Sequence, residues 1–415
     1  MNTLPLHMKL ASLFMVGLGL TLFTTVAGTN IMVLLLLLTT PWAWSRFKFV
    51  TAERAQAIKF LGLIVAICLW DVACNLIAGH SWVEATKAVA HDMRTFGFIV
   101  LLWPLFSDSV FSRRAMWALF GTVIVLATVN LLLVLVGFLP PGKYFWPTAP
   151  HMYGQTLVGL IFLLAQMQLV RPKFSWQIAV PMLLLIASLF IASERRTGYL
   201  QLAAGFVVWG ALNYKRLFVG KYKWWIALGG VAVFIAASLS PVVQSRMAMA
   251  LLEINQYLDQ SSLERANNAT SVGIRMQFYV SAWAVVIQHV WIGVGSIDFP
   301  VLFQQMNAGM GGVTNLSVFT NPHNEYIYIL ATKGIVGLVL YLAIFAQACR
   351  LALSKTDEVQ RIGLLMFVFL FMLSITTNSM MIDMEEGHFT MLVLLIFLAP
   401  VSLNLTGSKA LKVLT

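Results

Sequence analysis

The segment Asn321-Pro322-His323-Asn324-Glu325-Tyr326 holds residue types that can move a proton. A neutral imidazole is the natural general base near pH 7. Asn321 followed by Pro322 reads as a helix start: a capping side chain, then a proline whose missing N–H is no loss at the first helical position. His323 would then sit in the first turn, where open N–H groups and the helix dipole attract anions and disfavour imidazolium. Two other stretches supply the complementary charge, Ser193-Glu194-Arg195-Arg196-Thr197-Gly198 and Gly273-Ile274-Arg275. A guanidinium stays charged, and its planar fork matches two phosphate oxygens. A base and arginines beside apolar segments are equipment for chemistry on a lipid-linked phosphate. Each also has a plainer explanation. The histidine could bond a loop carbonyl, and arginines near helix ends snorkel to the interface, which accounts well for Arg246. Snorkelling accounts less well for two consecutive arginines in a very short turn.

The elements that must position these residues follow from composition. The chain has 415 residues, 60% hydrophobic and 10% charged, with a mean hydropathy of +0.84. That much apolar surface excludes an ordinary soluble domain and predicts an all-α integral membrane protein. On a length of roughly 20 apolar residues per crossing, about 12 candidate spans can be marked. Lys9 precedes a long apolar run with no cleavage site after it, so the first helix reads as a retained anchor. With the N-terminus inside, two thirds of the 27 Lys and Arg residues fall on cytoplasmic segments, and both termini are cytoplasmic. Basic loops facing anionic headgroups explain the net charge of +11 without any nucleic-acid partner.

This organisation divides the chain into an N-terminal bundle of about nine helices over 1–239, a long outer loop domain over 240–325, and about three C-terminal helices over 326–415. A loop of that length is usually functional. Val243, Met247, Ala250, Leu251, Ile254 and Leu258 recur at helical spacing and predict an amphipathic helix. A second is expected from near Arg275, with Tyr279, Trp283, Val286 and Ile287 on its apolar face. Between them lies the polar break Arg265-Ala266-Asn267-Asn268-Ala269-Thr270, and Gly309-Met310-Gly311-Gly312 reads as mobile. Asp383, Glu385, Glu386 and His388 could contact a sugar or orient His323, or could form an ordinary acidic loop. Asp71 and Asn75 lie one turn apart at membrane depth, with Arg94 a possible partner. Cys68, Cys74 and Cys349 have no CxxC spacing and read as core residues. No spacing of His, Cys and carboxylates indicates a metal site.

These motifs resemble the O-antigen ligase and O-antigen polymerase superfamily of bacterial envelope glycosyltransferases. The resemblance is densest from Gly273 to Gly337: Arg275 with Trp283 and Ala284, then His289-Val290-Trp291-Ile292-Gly293-Val294-Gly295, the His323 segment, and Gly334-Ile335-Val336-Gly337. Arg196-Thr197-Gly198 is similar to a second family motif, although Arg195 stands where the family usually has serine, which leaves open how the two arginines divide the work. One long outer loop is similar to the ligase branch, since polymerases carry two and Leu139–Met152 is short. The resemblance implies a C-type glycosyltransferase-like fold in a Gram-negative inner membrane, with the active site facing the periplasm. It implies transfer of O-antigen from undecaprenyl pyrophosphate to a sugar hydroxyl of lipid A-core, with inversion and without a metal or other cofactor. His323 would be the base, and Arg196 and Arg275 would hold the pyrophosphate. Arg195, Arg265, Asn321, Asn324 and Asp383 are secondary candidates. An O-antigen polymerase and a protein O-oligosaccharyltransferase are the alternatives within the superfamily. A lipid-linked glycan transporter is the alternative from another class, and would gather its polar residues at the membrane midplane.

Overall fold

In lipid a chain must satisfy its own backbone, and a helix does so within each segment. The computed structural model describes residues 5–22, 24–45, 47, 54–143, 150–171, 173–193, 196–218, 235, 238–239, 241–259, 270–309, 320–379, 381 and 384–398. Among these residues all regular structure is helical. In chain order the helices are α1 (Leu6–Thr21), α2 (Val26–Trp44), α3 (Arg54–Ile77), α4 (Trp82–Asp92), α5 (Arg94–Phe106) and α6 (Ser109–Leu135). Then follow α7 (Pro150–Leu169), α8 (Trp176–Ala187), α9 (Arg196–Leu212), α10 (Tyr214–Phe218) and α11 (Pro241–Asp259). The last are α12 (Ser271–Gln288), α13 (Gly295–Gly309), α14 (Glu325–Ser354), α15 (Glu358–Ser374) and α16 (Met384–Leu398).

Among the described residues, four helices are long and apolar enough to cross a membrane: Val26–Trp44, Ala55–Ile77, Ser109–Leu135 and Glu325–Ser354. A fifth is added if the bent pair α4–α5 counts as one span. Shorter apolar helices overlap further expected spans without reaching that length, so the described residues do not show the expected count of about 12, and most of the ninth, Trp224–Leu239, lies outside them. Helices α4 and α13 were not among the expected elements. The signal for α4 is a capping box: the Ser81 hydroxyl accepts from Glu84 N–H and the Glu84 carboxylate accepts from Ser81 N–H.

The centre of the bundle is α14, which packs along α3, α12 and α15. Tyr341, Ile344, Phe345 and Phe371 are buried there. α14 is interrupted at Gly334, where φ is 62° and ψ is −169°. A helix break orphans backbone groups, and each must find a partner. Ala331 O accepts from Val294 N–H at 2.9 Å, and Val290 O accepts from Ile335 N–H at 2.8 Å. Lys333 O accepts from the Trp70 indole N–H at 2.8 Å. The chain between α12 and α13 therefore lies backbone to backbone on the break. A Cβ on Gly334 would overlap Trp291 O, and one on Gly293 would overlap Thr332 C. Gly293 and Gly334, one from each sequence motif, are explained by this close approach, while Gly295 makes room for the Asn75 side chain and Gly337 for that of Lys333.

The same junction settles the intramembrane acid. Asp71 pairs with Lys333 at 3.2 Å, both side chains fully buried, rather than with Arg94. Lys333 is thus an interior cation and not a loop charge that reports sidedness. Asn75 Nδ2 donates to Ser296 Oγ at 3.1 Å, and Asn75 Oδ1 accepts from Ile297 N–H at 3.1 Å, so this residue fastens the start of α13. Arg94 instead lines a cavity of about 170 Å³ with Asn30, Phe98 and His388.

Candidate active site

The helix after the His323 segment begins later than the sequence implies. Asn324 is the N-cap: its Oδ1 accepts from Ile327 N–H at 3.1 Å. The side chain of Asn321 is engaged elsewhere. Its Oδ1 accepts from His323 N–H at 2.9 Å and from Ser379 Oγ at 3.4 Å. His323 therefore sits just ahead of the helix, not in its first turn. Its φ of 51° makes it the one non-glycine residue with positive φ among the described residues. Such a conformation costs on the order of 1–3 kcal/mol and persists only where the surroundings enforce it.

Enforcement comes from the C-terminal end of α15 and the turn that follows. Asn324 Nδ2 donates to Thr376 O at 3.0 Å, Glu325 N–H to Ile375 O at 2.9 Å, and the Tyr326 hydroxyl to Met372 O at 2.9 Å. Glu325, in the same segment, is fully buried. Its carboxylate accepts from the Tyr341 hydroxyl at 2.7 Å and from Met381 N–H at 3.0 Å. It ties α14 to the chain entering α16.

Helix α12 brings Arg275 to this place. Thr270 caps it, accepting from Gly273 N–H at 3.1 Å. The packed face is Phe278, Ala282, Val285 and Val286, while Trp283 and Ile287 are exposed. The expected apolar face was thus rotated, because Tyr279 and Phe278 are drawn toward the His323 segment. The Phe278 ring stacks on the imidazole at 5.9 Å between centroids. The Tyr279 hydroxyl donates to Thr376 O at 2.9 Å. Arg275 lies one turn before Tyr279 and is half-buried.

The electrostatics follow from this packing. Burial holds the His323 pKa below its ordinary 6.5; the Asn378 side chain opposes this and the Arg275 charge reinforces it. A half-buried imidazole beside a guanidinium is biased toward its neutral form, the state a base needs. Burial also raises the Tyr279 pKa above 10.0, with Arg275 acting the other way.

Helix α11 forms as its periodicity predicts, but with its stripe turned outward. Met247, Leu251 and Leu258 are exposed, while Glu253 and Tyr257 face the protein. Glu253 accepts from Val272 N–H at 3.1 Å, which fixes this helix by its polar side. Periodicity reports that a stripe exists, not which way it faces.

On the other flank, α8 ends in a π-helical turn, Ser188–Ala192. α9 then starts at Arg196. Gln201 Nε2 donates to Ser374 Oγ, so the first turns of α9 lie against the same end of α15 that holds His323. The side chain of Arg196 lies outside the described residues, as do Arg195, Arg265, Asp383 and the segment 310–319. Of the sequence-predicted residues, the structure brings together His323, Arg275, Asn321 and Asn324. Sequence reasoning missed Tyr279, Asn378 and the 372–379 turn, none of which carries a motif. In the acidic cluster, Glu386 is buried and accepts from Asn378 Nδ2 at 2.7 Å. His388 is buried and stacked on Phe98 at 5.6 Å. Among the described residues no three His, Cys, Asp or Glu side chains gather as metal ligands.

Residues 181–342 match the family model described as O-antigen ligase. No curated protein matches the chain. The matched span runs from within α8 into α14. It contains Arg196, Arg275, His323 and both glycine segments of the α14 break. The α15–α16 turn that grips His323 lies beyond it.

Proposed function

We propose that this chain, whose residues 181–342 match the O-antigen ligase family model, is a glycosyltransferase of the ligase branch of that superfamily. It moves an O-antigen glycan from undecaprenyl pyrophosphate to a sugar hydroxyl of lipid A-core. The acceptor hydroxyl attacks the anomeric carbon and loses its proton to His323. The bond from that carbon to the pyrophosphate oxygen breaks, with inversion. Arg275 and Arg196 bind the departing diphosphate and take the place that a divalent cation would hold. The observation that carries this reading is the pairing of a desolvated His323 with Arg275 across one surface, built by α12, α14 and the end of α15. The pyrophosphate leaving group supplies the driving force, so the protein need only align two lipids, accept a proton and neutralise charge.

The excess of Lys and Arg on the opposite segments supports placing this end of the bundle in the periplasm, both termini in the cytoplasm and the bundle in the inner membrane. On that topology residues 240–325 form the periplasmic loop domain, between bundles of about nine and three helices. The test is transfer by the purified protein with lipid-linked glycan as donor. Lipid A-core, a second lipid-linked glycan and a pilin-like protein are offered as separate acceptors. Transfer to lipid A-core alone is expected. Chain extension on the second lipid would make the protein a polymerase, and glycosylated pilin would make it an oligosaccharyltransferase.

A further inference from the structure

Asn378 stands between His323 and Glu386. Its Oδ1 lies 3.4 Å from His323 Nδ1, and its Nδ2 donates to Glu386 Oε2 at 2.7 Å. Glu386 is 3% exposed and belongs to the first turn of α16, where open N–H groups favour a carboxylate. A carboxylate only accepts hydrogen bonds, so the amide must turn its NH₂ toward Glu386. Its carbonyl oxygen, also acceptor-only, then faces His323. Nδ1 must carry the hydrogen, and the ring's lone pair is on Nε2. The three side chains come from three places: the positive-φ residue ahead of α14, the turn after α15, and α16. Their alignment fixes which nitrogen is the base.

We propose that Asn378 and Glu386 are positioning residues that hold His323 in the Nδ1–H tautomer, with Nε2 as the base toward the acceptor hydroxyl. The inference rests on the base role given to His323 above. A neutral amide in the middle of the relay has a chemical consequence. A carboxylate in direct contact with the imidazole would stabilise imidazolium and repel a diphosphate nearby. Asn378 passes on the orienting effect of Glu386 while keeping its charge one side chain away. Among the described residues, Arg275 of α12 is the charge that acts on the ring, Tyr279 of α12 and Tyr326 of α14 bond the same end of α15, and Glu386 of α16 reaches it through Asn378. Glu325 is directed to Tyr341 and Met381 rather than to the ring.

Transfer by the full chain in lipid nanodiscs, followed against pH, tests the relay in Glu386→Gln, Asn378→Asp and His323→Ala. Glutamine offers a donor and an acceptor, so the Asn378 amide is free to flip and the tautomer is no longer fixed. Turnover of Glu386→Gln is expected to fall at least about tenfold, with the donor KM within about twofold, because a mis-set tautomer affects proton transfer and not binding. Asn378→Asp is expected to move the acidic limb of the profile to higher pH. Two-bond ¹⁵N–¹H spectra of ¹⁵N-histidine protein read the tautomer directly, with His323→Ala identifying the signal. Nδ1–H is expected in the unmodified chain, and a mixture in Glu386→Gln. An Nε2–H signal in the unmodified chain overturns the proposal even if the variants fold poorly. Wild-type turnover and pH limb in Glu386→Gln, with His323→Ala inactive, overturn the relay and leave the base role standing. An active His323→Ala overturns the base role itself.

Discussion

Lys333 Nζ lies 3.2 Å from Asp71 Oδ1, and the backbone carbonyl of the same lysine takes the indole N–H of Trp70, the residue before that aspartate. One turn of α3 thus grips both the side chain and the main chain of α14 where it breaks. Removing one partner of a buried ion pair strands the other charge, at a cost of about 3–5 kcal/mol. Asp71→Leu and Lys333→Met are each expected to lower the melting temperature of the protein in nanodiscs substantially. The double variant is expected to recover part of the loss, because an apolar pair leaves no orphan charge. Wild-type melting in both single variants would show that the pair does not hold the break.

The break itself predicts a contrast between two glycines. Gly334→Ala places a methyl group on the Trp291 carbonyl in a positive-φ conformation, and loss of folded protein is expected. Gly62, in α3, has open space where its Cβ would go. Gly62→Ala in a helix interior should be neutral or more stable by up to about 1 kcal/mol. Expression and thermal melting of the two variants separate the cases, and equal behaviour would argue against the clamp.

Part of this architecture is legible in the sequence. Long apolar runs identify α2, α3, α6 and α14, because lipid imposes helix length directly. Arg275 and His323 stand out as candidates because few polar residues interrupt so apolar a chain. The partner of Asp71 is not legible: Lys333 lies on a distant helix, and only packing brings the two together. Nor is the grip on His323, since the 372–379 turn contributes mainly backbone carbonyls, which carry no residue signature. The helix start was misplaced for a local reason. Asn321 and Asn324 are both good caps, and only the fold shows that Asn321 is engaged with His323 N–H and Ser379.

His323 predicts a pH profile. In the proposed role of base it acts when neutral, so transfer is expected to fall as pH drops through its pKa, which burial and Arg275 hold below 6.5. Arg275→Ala removes one of the two lowering causes and should move this limb toward higher pH. Stability follows the same sign. Below 6.5 the unfolded chain takes up a proton that the folded site resists, so this group's contribution is present above 6.5 and lost as pH falls. His323→Ala should lower transfer by roughly 10²–10⁴ and remove that stability loss. A limb at or above 6.5 in the unmodified protein would contradict a desolvated base.

The arginines make the last prediction, one of geometry as well as charge. Arg275→Ala and Arg196→Ala are each expected to weaken transfer by about 1.5–3 kcal/mol, the worth of a hydrogen bond to a charged group. That is roughly one to two powers of ten in kcat/KM. Lysine keeps the charge but lacks the fork, so Arg275→Lys and Arg196→Lys should recover only part of the loss. If the two guanidiniums fill the place of a divalent cation, transfer should also persist in EDTA in the unmodified protein. Full activity with lysine at both positions would reduce the arginines to a general positive field. Loss of transfer in EDTA, restored by Mg²⁺, would show that they do not neutralise the diphosphate alone.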